Sequence, residues 1–299
     1  MADWFSPAEM FLATVVLAIL TAAIVIWQSP RARGTTLIAP VVWSLVSIIA
    51  IVLAEWMGWQ GTDGGRLAAL RFSAAVTTFC PPMAVLGARR PQHLAWQWIV
   101  ISLWVVLALP AAEACLVRRQ ASLQLHDARG WFLWGLILVG AGNWLLTRYW
   151  LAALAFAGAQ VLLLTEHLPG WRSAMGPTGT FLAVFLTAIG ALAVAWQNCR
   201  PLMIRSRDDR LWLDFRNSFG IVWGVRLQQR INASSHRYDW PIVLEWSGFG
   251  VRNDRPNVSP TILSDEHSEQ LELAFQTMLR RFVDESWIRR RADATVSTH

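Results

Sequence analysis

Seven long apolar stretches occupy residues 1–198, and a charged segment, residues 199–299, follows them. That division constrains the fold more than anything else in the chain. In a bilayer each backbone N–H and C=O must be satisfied inside the protein, and an α-helix crosses the ~30 Å hydrocarbon core with about 20 apolar residues. The spans read at about 9–27, 36–57, 67–87, 95–115, 131–147, 150–166 and 178–198. The third is interrupted: Arg66 and Arg71 stand near its start and Cys80-Pro81-Pro82 lies within it. Only Thr147-Arg148-Tyr149 separates the fifth from the sixth. Hydrophobic residues make up 55% of the chain and charged residues 15%, against the ~25% charged residues usual in soluble domains. The expectation is a mainly α protein: a polytopic helical membrane domain over residues 1–198 and a small cytoplasmic α+β domain over 199–299 with a disordered end. Asp3 and Glu9 precede the first apolar run, where a cleaved signal peptide would carry basic residues, so that run reads as a retained span.

Arginine sets the expected orientation. Arg31 and Arg33 follow span one, Arg89 and Arg90 follow span three, and Arg200, Arg205 and Arg207 follow span seven. By the positive-inside rule these face the cytoplasm, with the N-terminus outside. Arg118, Arg119 and Arg129, between spans four and five, oppose that assignment. Nine tryptophans (Trp27, Trp56, Trp59, Trp96, Trp98, Trp131, Trp150, Trp171 and Trp196) lie near span ends, where an indole keeps its ring in the acyl boundary and its N–H in water. A haem or quinone surface is the sharper reading of them, but no histidine sits mid-span to ligate haem.

The tail changes texture. Trp212, Phe215, Phe219, Trp223, Leu227 and Ile231 recur at three- and four-residue spacing over 209–232, the pattern of an amphipathic helix. Gly220 and Gly224 on it would let another backbone approach closely, and Arg210, Arg216, Arg226 and Arg230 line its polar side. Residues 241–247 read as a strand ended by Gly248-Phe249-Gly250, and 251–261 as a loop. Ser264 reads as the N-cap of a second helix whose apolar face is Leu271, Phe275, Met278, Leu279 and Phe282. A short segment at Trp287-Ile288 precedes Arg289-Arg290-Arg291. Trp212, Phe219, Trp223 and Arg226 are the candidate partner-docking residues. The alternative lays this helix on the anionic leaflet with Trp212 and Trp223 buried there.

Two further constellations carry candidate chemistry. Glu55, Glu113 and Glu166-His167 end spans two, four and six, and His126-Asp127 can lie at the same depth, a set suited to binding an ion or relaying protons. Arg66 or Arg71 would instead neutralise Glu55 or Glu113. At mid-membrane, Thr77-Thr78-Phe79-Cys80-Pro81-Pro82 breaks span three and leaves carbonyls in need of partners, as broken transporter helices do. Asn143, after Gly140-Ala141-Gly142, and Pro110 are candidates to face the same interior. The plainer reading is a packing kink with small-residue helix contacts.

All 26 basic residues are arginine, so lysine-dependent Schiff-base and phosphate-loop chemistry is excluded within the chain. Cys80, Cys115 and Cys199 are far apart, without the spacing of a zinc site or disulfide framework. No Gly-rich nucleotide loop, His-Glu-x-x-His helix or Gly-x-Ser-x-Gly elbow occurs. No cofactor or metal is expected, and the modest positive charge of the tail argues against nucleic acid.

The stretch Cys80-Pro81-Pro82-Met83-Ala84-Val85-Leu86-Gly87-Ala88-Arg89-Arg90-Pro91-Gln92, then Trp96-Gln97-Trp98, resembles a segment of multi-span membrane proteins of planctomycete-type bacteria, as do the tail's Leu211-Trp212-Leu213-Asp214-Phe215-Arg216 and Asn232-Ala233. The resemblance implies a bacterial inner membrane and no particular activity. The expected role is a scaffold, anchor or subunit in a membrane complex, with the bilayer and a protein partner at the tail as its contacts. The alternatives are a small-solute or ion transporter and a membrane-embedded enzyme.

Overall fold

The computed structural model describes residues 6–116, 126–171, 175–200, 206–252 and 265–293. The expected loop at 251–261 falls almost wholly outside them, as do Arg118, Arg119, Arg205, the Ser264 cap and the last six residues.

Helices α1 (Pro7–Gln28), α2 (Ile38–Trp59), α3 (Gly64–Thr77), α4 (Cys80–Leu86), α5 (His93–Leu116), α6 (Asp127–Leu145), α7 (Trp150–Leu164) and α8 (Gly176–Cys199) form the bundle. Their starts are chemically marked. Ser6 and Glu9 close a capping box ahead of α1 with Pro7 at its first position, and Asp63 accepts the Arg66 N–H at 3.0 Å to open α3. At α6 the His126 side chain plays that part, accepting from Ala128 N at 3.3 Å.

Among the described residues, five segments are long and apolar enough to cross a membrane: Ala8–Ala32, Ile38–Trp59, Gly64–Leu86, Leu94–Cys115 and Gly176–Cys199. Their outward faces are apolar. Leu12 and Ile19 on α1, Ile49 on α2, Val106 on α5 and Leu192 on α8 are each more than half exposed, a pattern that needs lipid or a partner to cover it. The expectation of seven spans is thus met at five. Helix α7 has 15 residues, roughly 22 Å of helix at 1.5 Å per residue, and α6 carries Asp127 and Arg129 in its first turn.

The interrupted third segment is the middle of the bundle. Its mean hydropathy is 1.3 against 2.6 for the first segment, yet it is 67% buried against 17%. Low hydropathy and deep burial have one cause: protein surrounds this helix, so it needs small side chains that admit neighbours rather than apolar ones that solvate lipid. Ala69, Ala74 and Ala75 supply them, each 5% exposed or less. Helices α2, α5 and α7 pack around it.

The tail forms α9 (Arg207–Arg237), strands β1 (Ile242–Glu245) and β2 (Gly248–Val251), α10 (Asp265–Leu279) and α11 (Glu285–Asp293). Two expectations are corrected. Gly248-Phe249-Gly250 is not the end of a strand but the second arm of an antiparallel hairpin, with Glu245 opposite Gly248 and Leu244 opposite Phe249. Gly248 is required there: at φ 143° a Cβ would lie 2.4 Å from the Asp209 carboxylate, whose Oδ1 accepts the Phe249 N–H at 2.7 Å. The long helix is also not continuous, because Gly220 (φ 79°, ψ −171°) bends it.

The tail packs onto one end of the bundle. Trp212, Phe215, Phe219, Leu271, Phe275 and Phe282 share one core with Ala88 from the α4–α5 loop. The α1–α2 loop joins through backbone: Thr35 bridges to Val283, Thr36 N donates to Phe282 O at 3.1 Å and Asp284 N to Gly34 O at 2.7 Å. Arg90 N likewise reaches Arg281 O at 2.7 Å.

Candidate functional site: two cavities on either side of a broken helix

The break in the third segment is chemically complete. Pro81 and Pro82 have no N–H to give the carbonyls four residues earlier, those of Thr77 and Thr78. Ser47 Oγ on α2 donates to Thr77 O at 2.8 Å, and Gln160 Nε2 on α7 donates to Thr78 O at 3.2 Å. The Thr77 and Thr78 hydroxyls turn back onto Ala74 O and Ala75 O. Cys80 packs with Ala84 and Val100. Residues 75–80 are all buried, a plug of packed protein across the middle of the bundle.

Asn143 is elsewhere. It lies at the tail end of α6 and acts as a substitute peptide group for the kink in α9. Its Nδ2 donates to Phe219 O at 3.3 Å and its Oδ1 accepts from Val222 N at 3.0 Å. The two backbone groups that Gly220 removes from the helical ladder are thus satisfied by one side chain. A Cβ at Gly220 would stand 2.3 Å from Asn143 Nδ2.

At the end away from the tail, a cavity of about 290 Å³ opens between α2, α3, α7 and α8. Glu55 is 7% exposed. It takes Arg71 Nε and Nη2 at 2.8 Å each and the Thr180 hydroxyl at 2.8 Å. Arg66 pairs with Asp63 instead. Glu166 and His167 line the same cavity. His167, in the turn after α7, meets the Phe72 ring edge-on at 4.8 Å, and burial pushes its pKa down to about 4. Its imidazole is therefore neutral at pH 7. Of the expected set, Glu55, Glu166 and His167 come together here with Arg71. Glu113, His126 and Asp127 do not line the cavity and are exposed. Among the described residues no three acidic, histidine or cysteine side chains converge as a metal site. The cavity can hold a small polar solute against a paired guanidinium and carboxylate.

On the tail side of the plug lies a larger cleft of about 730 Å³, between α1, α2, α4, α7, α8 and the tail. Arg31, Arg148, Arg200 and Arg210 line it with Asp214, and Pro81, Pro82, Val85 and Phe156 supply apolar wall. No single motif announces it, because its residues come from six separate stretches. Gln160 and Ser47, polar positions inside apolar spans, were readable signals for the capped break.

The docking candidates are consumed internally. Trp212 and Phe219 are fully buried, and Trp223, 9% exposed, donates its Nε1 to Val85 O at 2.9 Å. Arg226 is exposed, its guanidinium 5.0 Å from the Trp223 ring. Of the tryptophans expected at a membrane interface, Trp27, Trp59, Trp98, Trp131, Trp171 and Trp196 are more than half exposed at helix ends. Trp96 packs under Gly87 instead, its Nε1 donating to Met83 O at 2.8 Å.

No family model, no curated protein and no solved structure matches this chain.

Proposed function

We propose that the chain is a seven-pass bacterial inner-membrane protein, N-terminus outside, whose cytoplasmic tail is a fixed platform for a protein partner in a larger membrane complex. The observation that carries this reading is the attachment of the tail. Backbone bonds fasten it to the α1–α2 and α4–α5 loops, the Asn143 side-chain amide to α6, and Trp246 Nε1 to Leu146 O at 3.0 Å. A domain held at so many points keeps one orientation to the bilayer, which suits a platform and does not suit a tethered domain. Its outward side keeps Arg226, Arg230 and Arg237 exposed for an acidic partner surface.

Helices α6 and α7 complete the count of seven in this reading. They expose Leu138, Val139 and Leu154. Helix α7, although short, has Tyr149 beside its start at the tail-side cleft and Thr165 after its end at the far cavity, which supports counting it as a span. The arginines at the tail end (Arg31, Arg89, Arg90, Arg148 and Arg200) support a cytoplasmic tail by the positive-inside rule.

The experiment is the triple change E55A/E113A/E166A in a complementation assay in the host. The platform reading expects function to survive, provided the protein accumulates folded. Loss of function from folded protein would favour a second reading, small-solute or ion transport. One observation favours that alternative: a cavity on each side of a buried plug at a broken helix.

A further inference from the structure

The tail-side cleft divides into two chemical zones. Its apolar wall comes from Pro81, Pro82, Val85, Phe156 and Val194, and its charged part from Arg31, Arg148, Arg200, Arg210 and Arg291, on five different segments. At about 730 Å³ it is within the size range of sites that enclose a drug-sized ligand, about 300–1,000 Å³.

The charge is not balanced from within. Among the described residues, Arg31, Arg148, Arg200 and Arg210 have no carboxylate partner. Neutral groups hold three of them instead. Arg31 Nη1 donates to Gln28 Oε1 at 2.8 Å, and Asn198 Nδ2 shares that acceptor at 3.1 Å while its Oδ1 takes the Tyr149 hydroxyl at 2.6 Å. Arg148 Nη2 reaches Arg200 O at 3.4 Å. The Arg200 guanidinium lies 3.7 Å above the Trp196 ring. Asp214, the one acid among the described residues lining the cleft, is already engaged by Arg291. Ordinary positive-inside arginines sit on loops in water. These line a concave space, three of them held by an amide, a carbonyl and a ring rather than by carboxylates, which leaves donors for an anion.

Depth supplies the last constraint. Exposed Trp27 and Trp196, near the ends of α1 and α8 beside the cleft, mark headgroup level. We propose that the cleft binds one anionic phospholipid, its phosphate among the arginines and its acyl chains along the proline- and phenylalanine-lined wall. A free phosphate has no use for that wall, and a zwitterionic lipid brings a cation to a site already rich in them. The proposal shares with the platform reading only the membrane setting.

The test is native mass spectrometry of the whole detergent-solubilised protein, titrated with phosphatidylglycerol or phosphatidylcholine of equal chain length. The first phosphatidylglycerol should bind about 10-fold more tightly than phosphatidylcholine. The variant R31Q/R148Q/R210Q should lose that preference, and R226Q/R230Q/R237Q, with the same charge removed from the exposed side of α9, should keep it. Equal loss in both variants would reduce the effect to general charge and overturn the site. Equal binding of the two lipids would also overturn it. Competition by glycerol phosphate as effective as by the lipid would make this a soluble-phosphate site and refute the lipid. Should the triple variant fail to fold, R148Q alone should weaken the preference about 3-fold, and an unchanged ratio would count against the proposal. A protein partner, found or absent in host preparations, leaves these lipid ratios unaffected, so the two readings fail separately.

Discussion

Asp208 near the start of α9 is a carboxylate in the wrong surroundings. Its Oδ1 is buried without a hydrogen-bond partner. Burial first, and the charge of Glu272 second, raise its pKa from 3.8 to about 6. A folded-state value above the unfolded one means that the charged form opposes folding. Stability present below pH 4 is lost as pH rises through 6. The change D208N should therefore stabilise the protein by about 1–3 kcal/mol at pH 7.5 and by almost nothing at pH 3.5. Thermal unfolding in detergent at the two pH values checks it, and an equal gain at both would refute it. Glu55 predicts the opposite sign. Removing one member of a buried pair leaves the other uncompensated, so R71M should cost about 3 kcal/mol, while E55M/R71M should recover most of that. A double-mutant unfolding series reads the difference. Glu55 was legible in the sequence because an acid at a span end is conspicuous, and Arg71 was one of two arginines in reach. Its third partner, Thr180, was not legible, because a threonine among apolar residues gives no sign of which helix it faces.

At the scale of elements, the break between α3 and α4 was legible from Cys80-Pro81-Pro82, but its purpose was not. Prolines announce freed carbonyls without saying who meets them. Ser47 and Gln160 do, from helices remote in sequence, and of the two readings the sequence left for this break, a coordinating site or a packing kink, their bonds describe a joint between packed helices. The variant S47A/Q160A should orphan two carbonyls in an apolar interior and cost about 1–3 kcal/mol for each, seen as a lower unfolding temperature in detergent with the helix content retained. The kink in α9 was hidden for a different reason. Trp212, Phe215, Phe219 and Trp223 keep helical spacing across Gly220, so periodicity reads straight through a glycine whose φ of 79° breaks the ladder. G220A adds both an unfavourable backbone and a clash with Asn143. It should loosen the tail by about 2 kcal/mol or more, and limited proteolysis should then cut between α8 and α9 faster than in the parent.

For the whole molecule, composition alone gave the division into bundle and tail, because the bilayer imposes it. What composition could not give is that the two are one body. The apolar residues read as a surface for a partner are packed into the tail's own core and against Val85 and Ala88 instead, since a partner and an intramolecular face demand the same side chains. W223F removes the Nε1 donor to Val85 O while keeping most of the packing. It should free the tail only partly, raising its hydrogen exchange near 219–223 and leaving the bundle unchanged.

The bond between Thr36 and Phe282 has a consequence in time. The two residues are 246 positions apart, and at about 5–20 residues per second the ribosome needs roughly 12–50 s to go from one to the other. The first hairpin of the bundle must therefore enter the bilayer and wait with its loop amides in water until residues 281–284 have been made. Insertion and docking are separate events: α9 can meet α4 and α6 first, and the loop bonds to residues 281–284 follow. During that interval the arginine-lined cleft lacks Arg291, the partner of Asp214. A nascent chain stalled before residue 281 would leave the Thr36 N–H, the Arg90 N–H and the Gly34 carbonyl without the partners they have in the folded protein, so these two loops close only after α9 and the β1–β2 hairpin have been made.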